Sequence, residues 1–264
     1  MQTLVESRIT EAGKPPCTAL NLQCQLVYFK LEEVRRERYR MQRLLHPETL
    51  KGAPPKRRAY SSYIRIEALR QLGKDEEYYR KLIAQEAELK KELESLAEIH
   101  PLWPHWSRIK GLGLYLCGAF AAAAGDISIT PTVSAFWKSM GLDVLPDGTV
   151  PRKIRGRKGT ERRIPALPHV TTIGEQIRQS ILRGRGKLYE LYCAKKAYYT
   201  AKRPDKAAIW NHRAALRVVQ KILYAVSWEV MRLADGLDAP RPYAFDILKH
   251  PDGHLITFED LYDG

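Results

Sequence analysis

Cysteine is scarce in this chain. There are four in 264 residues, Cys17, Cys24, Cys117 and Cys193, and no Cys-x-x-Cys pair. That spacing argues against a disulfide framework and against the common zinc patterns, so reduced thiols in a cytoplasmic protein are expected. Long apolar runs are also missing. The uncharged stretch Gly111 to Gly125 is too short and too rich in glycine and alanine to span a bilayer. No secretory leader is visible, because Met1 to Lys14 carries Glu6, Arg8 and Glu11 where an apolar centre is required. The seven histidines show no ligand spacing. His250 and His254 bracket Pro-Asp-Gly, which reads as a turn, so neither a metal nor a cofactor is expected. Strand signals are few, and the expected class is mainly α.

Positive charge is abundant and unevenly placed. The formal net charge is +14, from 44 Lys+Arg against 30 Asp+Glu, and residues 151 to 210 hold 16 of the cations with only 4 of the acids. The densest part, 151 to 163, contains Arg152, Lys153, Arg155, Arg157, Lys158, Arg162 and Arg163 against Glu161 alone. A second knot, Arg183-Gly-Arg185-Gly-Lys187, carries glycines that let a backbone follow a curved polyanion. Charge concentrated in this way points to nucleic acid. A membrane surface is the poorer fit, since the basic run has no amphipathic apolar face. From Asp235 onward the balance reverses, with seven acidic residues against two basic. A solvated acidic tail is expected there rather than an intramolecular shield for the basic patch.

Gly111 and Gly113 stand two apart, after Ile109 and Lys110 and before a small-residue segment of helical composition. This is the layout of a helix-hairpin-helix, a Gly-x-Gly turn whose amides open a helix and can meet a phosphate. Two reasons call for glycine: backbone angles that a Cβ disfavours, and close approach of the phosphate to the main chain. Lys110, Gly111 and Gly113 are therefore candidate phosphate contacts.

Periodicity supplies the rest of the frame. Leu20, Cys24, Val27, Leu31, Val34, Met41 and Leu45 recur in alternating steps of three and four, with Arg38 in the seam, which predicts a long coiled-coil-type helix. Its exposed face is expected to show Arg35, Arg36, Arg40 and Arg43. A second helix is expected from about Lys74 to Glu98, with Leu82, Leu89, Leu93 and Leu96 on one face and a Glu86–Lys90 pair. The proline-rich stretch His46 to Ser62 joins them into an antiparallel hairpin, with a dimerising coil as the other arrangement. Further helices are expected at Val133 to Met140, Thr172 to Leu182, Lys187 to Lys202 and Lys206 to Ala234. The resulting divisions are an N-terminal segment (1–19), a coiled-coil helical hairpin (20–100), a helix-hairpin-helix domain with its basic loop (101–245) and an acidic tail (246–264).

The order of these parts resembles the C-terminal region of insertion-sequence transposases that carry an N-terminal RuvC-like nuclease domain, the family that includes pilin-gene invertases. The matching pieces are Ile109 to Ile127, Ser134-Ala-Phe-Trp-Lys-Ser-Met-Gly-Leu142, Asp147-Gly148 followed by Arg152 to Gly156, Tyr189-Glu-Leu-Tyr192 to Tyr199, and Tyr243 after Arg241-Pro242. The likeness covers roughly residues 20 to 245. The resemblance implies DNA rearrangement guided by a structured RNA and performed by a multimer with composite sites. This chain departs from the pattern twice. It begins beyond the point where the RuvC-like domain would end, so no acidic metal-binding set carries over. The family's serine nucleophile follows the Gly-Leu element, yet between Leu142 and Arg163 the only hydroxyls are Thr149 and Thr160. Thr149 is the sole catalytic candidate, and a threonine there needs an activating base.

The expectation is a cytoplasmic DNA-binding protein of the transposition and recombination class, without strand-cutting chemistry of its own. Its implied partners are DNA, a structured guide RNA, further copies of itself through residues 20–100 and a RuvC-like subunit. An active recombinase with an unrecognised nucleophile and a non-catalytic helical scaffold are the alternatives.

Overall fold

A computed structural model describes residues 15–45, 70–71, 73–143, 167–240 and 256–263. The basic loop 151–163, Thr149, the connection 46–62, Tyr243, His250 and His254 lie outside the described residues. Those described are mainly helical: α1 (Cys17–Leu45), α2 (Asp75–Glu98), α3 (Trp103–Trp106), α4 (Leu114–Ala124), α5 (Val133–Ser139), α6 (Pro168–Gly184), α7 (Lys187–Lys202) and α8 (Ala208–Ala234), with short 3-10 turns at Ile127–Ile129 and Glu259–Leu261. Among them no strand occurs, and no helix is long and apolar enough to cross a membrane.

Helices α1 and α2 run antiparallel. Cys17 meets His100 at one end, Arg35 reaches Glu86 at mid-length, and Met41 packs with Leu82 at the other end. The heptad seam is the buried face, with Leu20, Cys24, Val27, Leu31 and Met41 all enclosed. Two expectations are corrected. Glu86 does not pair with Lys90, which turns to Glu94 instead; it accepts from the Nε atoms of Arg35, at 3.0 Å, and Arg38. Arg35 is consequently drawn inward, where it also donates to the Tyr115 hydroxyl at 2.6 Å, and only Arg36, Arg40 and Arg43 stay exposed. A partly enclosed carboxylate with two guanidiniums at hand outcompetes a solvated i,i+4 partner.

The alanine run of α4 explains itself in this setting. The helix is enclosed on nearly every side, and a Cβ at Gly118 would lie 2.9 Å from the Leu93 carbonyl oxygen. Small residues let α4 press against α2, so the composition reflects close packing. Phe120 of α4 meets Trp106, Phe136 and Tyr224, with its ring centre 5.0 Å from that of Trp106 and 4.9 Å from that of Tyr224. Each such ring contributes about 1.5–3 kcal/mol through burial. The indole nitrogens are satisfied, Trp106 by Ser227 at 3.0 Å and Trp228 by the Thr130 carbonyl at 2.9 Å.

Two helix starts precede the expected positions. Pro168 opens α6 at a position where its missing N–H costs nothing. Helix α1 begins at Cys17 because Asp235, far along the chain, accepts from Thr18 N at 3.0 Å and from the Thr18 hydroxyl.

Candidate functional site

The first glycine turn is held from below. Ile109 and Leu112 are buried and pin the turn to the core, leaving Lys110 and Gly111 facing outward. Gly111 has φ +94°, and a Cβ on it would sit 2.6 Å from the Ser180 carbonyl oxygen and 3.3 Å from Gly184 Cα. Here glycine is required by conformation and by contact. Gly113 is different. Its extended backbone suits any residue, and a Cβ would meet nothing within 4 Å. Conformation therefore does not require glycine at 113. What Gly113 provides is open ground in front of the first turn of α4.

The neighbour on Gly111 is the second basic knot. Helix α6 ends at Gly184, Arg185 takes a left-handed φ of 50°, and α7 starts at Lys187. A Cβ at Gly184 would lie 2.6 Å from the Lys110 carbonyl oxygen, and the Ser180 hydroxyl donates to the Gly111 carbonyl. The two glycine turns thus stand back to back, although 69 positions separate Gly111 from Ser180. Lys110, Arg183, Arg185 and Lys187 are all exposed, and among the described residues no carboxylate forms an ion pair with their side chains. Arg108 lies 3.8 Å over the Tyr262 ring and Arg185 5.7 Å over Tyr189.

One acidic residue does reach the corner, through the main chain. Asp263 accepts from Lys110 N with Oδ2 at 2.6 Å and from Lys187 N with Oδ1 at 2.7 Å, while its own N–H donates to the Arg108 carbonyl at 2.8 Å. Gly186 is buried beneath it, and a Cβ there would collide with the carboxylate. The segment carrying Asp263 is anchored by Phe258 and Leu261, both buried, and by His105. The His105 ring stacks on Phe258 at 4.6 Å, and its Nδ1 lies 2.6 Å from the Tyr262 hydroxyl. Burial lowers the His105 pKa, partly offset by Glu259. The expectation of a solvated tail is therefore corrected for residues 256–263. Aromatic and aliphatic side chains strap this piece onto α3 and α7, and burial of that apolar surface outweighs the solvation of its charges.

A second group of cations lies beside Asp143, the last residue described before the basic loop. Arg217 donates to the Asp143 carbonyl, and Lys221 lies 4.6 Å over the Trp137 ring. Burial lowers the pKa of both, with Arg178 the next cause for Arg217 and Arg217 the next for Lys221. Crowded cations of this kind favour an anion nearby.

Of the sequence-derived candidates, Lys110, Gly111, Gly113, Arg183, Arg185 and Lys187 belong to the two abutting turns. Arg152, Lys153, Arg155, Arg157, Lys158, Arg162, Arg163 and Thr149 lie outside the described residues. Within the matching piece Tyr189 to Tyr199, Tyr192 is buried with its hydroxyl 2.7 Å from His212 Nδ1, whereas Tyr198 is half exposed and 3.0 Å from Lys202 Nζ. Sequence reading missed Asp263 and Arg108, and gave Gly186 only a role in backbone freedom. The available signal was the apolar spacing of Phe258, Leu261 and Tyr262 inside an acidic stretch.

A thiol, an imidazole and an amide also meet, at Cys17, His100 and Asn21. Cys17 Sγ is 3.3 Å from His100 Nε2, which is 2.8 Å from Asn21 Oδ1, and His100 Nδ1 accepts from Leu102 N at 3.1 Å. That arrangement assigns the proton to Nε2 of a neutral ring. Burial lowers the His100 pKa to about 4 and pushes the Cys17 thiol well up, with Asp235 adding to the rise. Both side chains are 1% exposed, so this is a structural junction and no nucleophile. Asn21 extends it by donating to the Gly125 carbonyl at 2.9 Å, which ties α1 to the end of α4.

No known protein family, curated protein or solved structure matches the chain.

Proposed function

We propose that this protein binds nucleic acid, DNA foremost, in transposition or recombination, and does not cut strands by itself. The observation that carries the reading is the pair of abutting glycine turns. Two main-chain amides from distant parts of the chain converge on one anion, and Arg108, Lys110, Arg185 and Lys187 stand exposed around it. Main-chain N–H groups at a helix start and in a glycine turn are well suited to a phosphate oxygen. The basic loop 151–163 supplies further neutralising charge in this reading. Its place in transposition rests on the resemblance in the order of sequence elements, and with it come the proposed partners: a structured guide RNA, a RuvC-like subunit and further copies of this chain through residues 20–100. The buried free thiols Cys17, Cys24 and Cys117 suit a cytoplasmic setting.

The test is the salt dependence of binding to a short DNA duplex, followed by fluorescence anisotropy. Engagement of about six phosphates gives a slope of log K on log[salt] near −5. Replacing Lys110, Arg185 and Lys187 together by alanine is expected to flatten that slope by about 2 to 3 units and to weaken all sequences alike. An unchanged slope removes the corner from the interface. Stronger retention of single-stranded or folded RNA than of duplex would make RNA the main ligand, and no retention of either would sink the reading.

A further inference from the structure

We propose that the Lys110 and Lys187 amides form a seat for one phosphodiester group, and that Asp263 occupies this seat as the chain's own competitor. The inference rests on the nucleic-acid reading above and deepens it by naming the contact and its control.

The geometry carries the first half. A carboxylate and a phosphodiester both present two oxygens sharing one negative charge. Asp263 uses its two oxygens separately, one on the Lys110 N–H and the other on the Lys187 N–H. These donors belong to different glycine turns, and their convergence depends on the contact between Gly111 and Gly184. Gly186 keeps the approach clear, since any side chain there would fill the anion's place. An open groove lined by Ser107 to Gly113 runs past the carboxylate, so an extended backbone has a path to the same point.

The surroundings carry the second half. An aspartate serving only to cap a helix has no use for a ring of exposed cations. Here Lys110, Arg185 and Lys187 leave their ammonium and guanidinium groups free of carboxylates among the described residues, while Arg108 lies on Tyr262 beside the seat. The strap holding Asp263 is short and grips through Phe258, Leu261 and the Tyr262–His105 contact. Such a hold is reversible. A tethered carboxylate lowers the apparent affinity of a competing phosphate by the fraction of time the seat is free, so a strap docked nine-tenths of the time weakens binding about tenfold.

The experiment compares four versions of this 264-residue chain for duplex binding by anisotropy at one salt concentration, with thermal melts alongside: wild type, Asp263→Asn, Leu261→Ala and Glu259→Gln. Asp263→Asn removes the competing charge at the seat. Leu261→Ala loosens the strap without touching the amides. Glu259→Gln makes the same charge change as Asp263→Asn on an exposed residue of the same strap. The expected result is binding tightened about tenfold by Asp263→Asn, a gain in the same direction from Leu261→Ala, and less than a twofold change from Glu259→Gln. Equal gains from Asp263→Asn and Glu259→Gln would reduce the effect to net charge and overturn the inference. Unchanged affinity in both Asp263→Asn and Leu261→Ala, with wild type binding normally, would leave Asp263 a simple helix cap while the nucleic-acid reading stood. If none of the four bound any nucleic acid, the reading itself would fail and the inference with it.

Discussion

Asp235 and Asp263 make the same kind of bond in opposite surroundings. Each comes from the acidic end of the chain and accepts from a backbone N–H in the first turn of a helix that begins far earlier, α1 for Asp235 and α7 for Asp263. Asp235 is met by a hydroxyl from Thr18, and nearby the chain is closed over by Cys17, Asn21 and His100. Asp263 is met by a second amide, from another turn, among exposed cations. A carboxylate of the first kind is half-buried, holds the N–H and hydroxyl of a single residue, and abuts the enclosed Cys17–His100 contact. The second kind faces water and lies where polyanions would gather. The acidic end is therefore not one diffuse counter-charge; its members do different work according to what surrounds them.

Three measurements would break or sharpen that contrast. The largest effect is expected on the closed side. His100 has its pKa lowered from 6.5 to about 4, so the unfolded chain takes up its proton at a pH where the folded chain cannot. Stability should thus be full above about pH 6.5, decline as pH falls toward 4 and level off below, with a total loss from this group on the order of 3 kcal/mol. Urea titrations across that range check it, and His100→Leu should remove most of the slope. A flat profile in the wild type would mean that the ring is not sealed.

A middle-sized effect is expected on the open side. Gly184→Ala places a methyl group against the Lys110 carbonyl and should cost about 2 kcal/mol through overpacking, while pushing apart the two amides that share Asp263. Thermal melts with duplex binding test both consequences, and a variant as stable and as tightly binding as wild type would show that the two turns do not touch. The smallest is Asp235→Asn, expected to lower stability by about 1 kcal/mol through the weakened α1 cap and to change duplex affinity less than twofold. If Asp235→Asn tightened binding as much as Asp263→Asn, the distinction between the two carboxylates would dissolve.

The sequence was most legible where the controlling information is local. Helix α7 runs from Lys187 to Lys202 as its pattern predicts, because Gly186 before it and Arg203-Pro204 after it set both ends. The seam of α1 and the enclosed face of α8 follow from the same periodicity. What stayed hidden depends on partners distant in the chain. The earlier start of α1 needs Asp235, 217 positions from Thr18. The inward turn of Arg35 needs Glu86 and Tyr115. At the candidate site, both glycine turns were visible as separate motifs, but nothing in their spacing says that Gly111 touches Gly184. Likewise the acidity of the tail concealed its apolar anchors, Phe258 and Leu261, since a count of charges ignores which residues alternate with them.

Cys193 is exposed on α7, whereas Cys17, Cys24 and Cys117 are enclosed. It stands six residues beyond Lys187, about 9 Å along the helix axis. A maleimide dye can therefore be attached to the native sequence at a single point, without engineering away other thiols. Fluorescence from that dye would follow undocking of the C-terminal segment in real time.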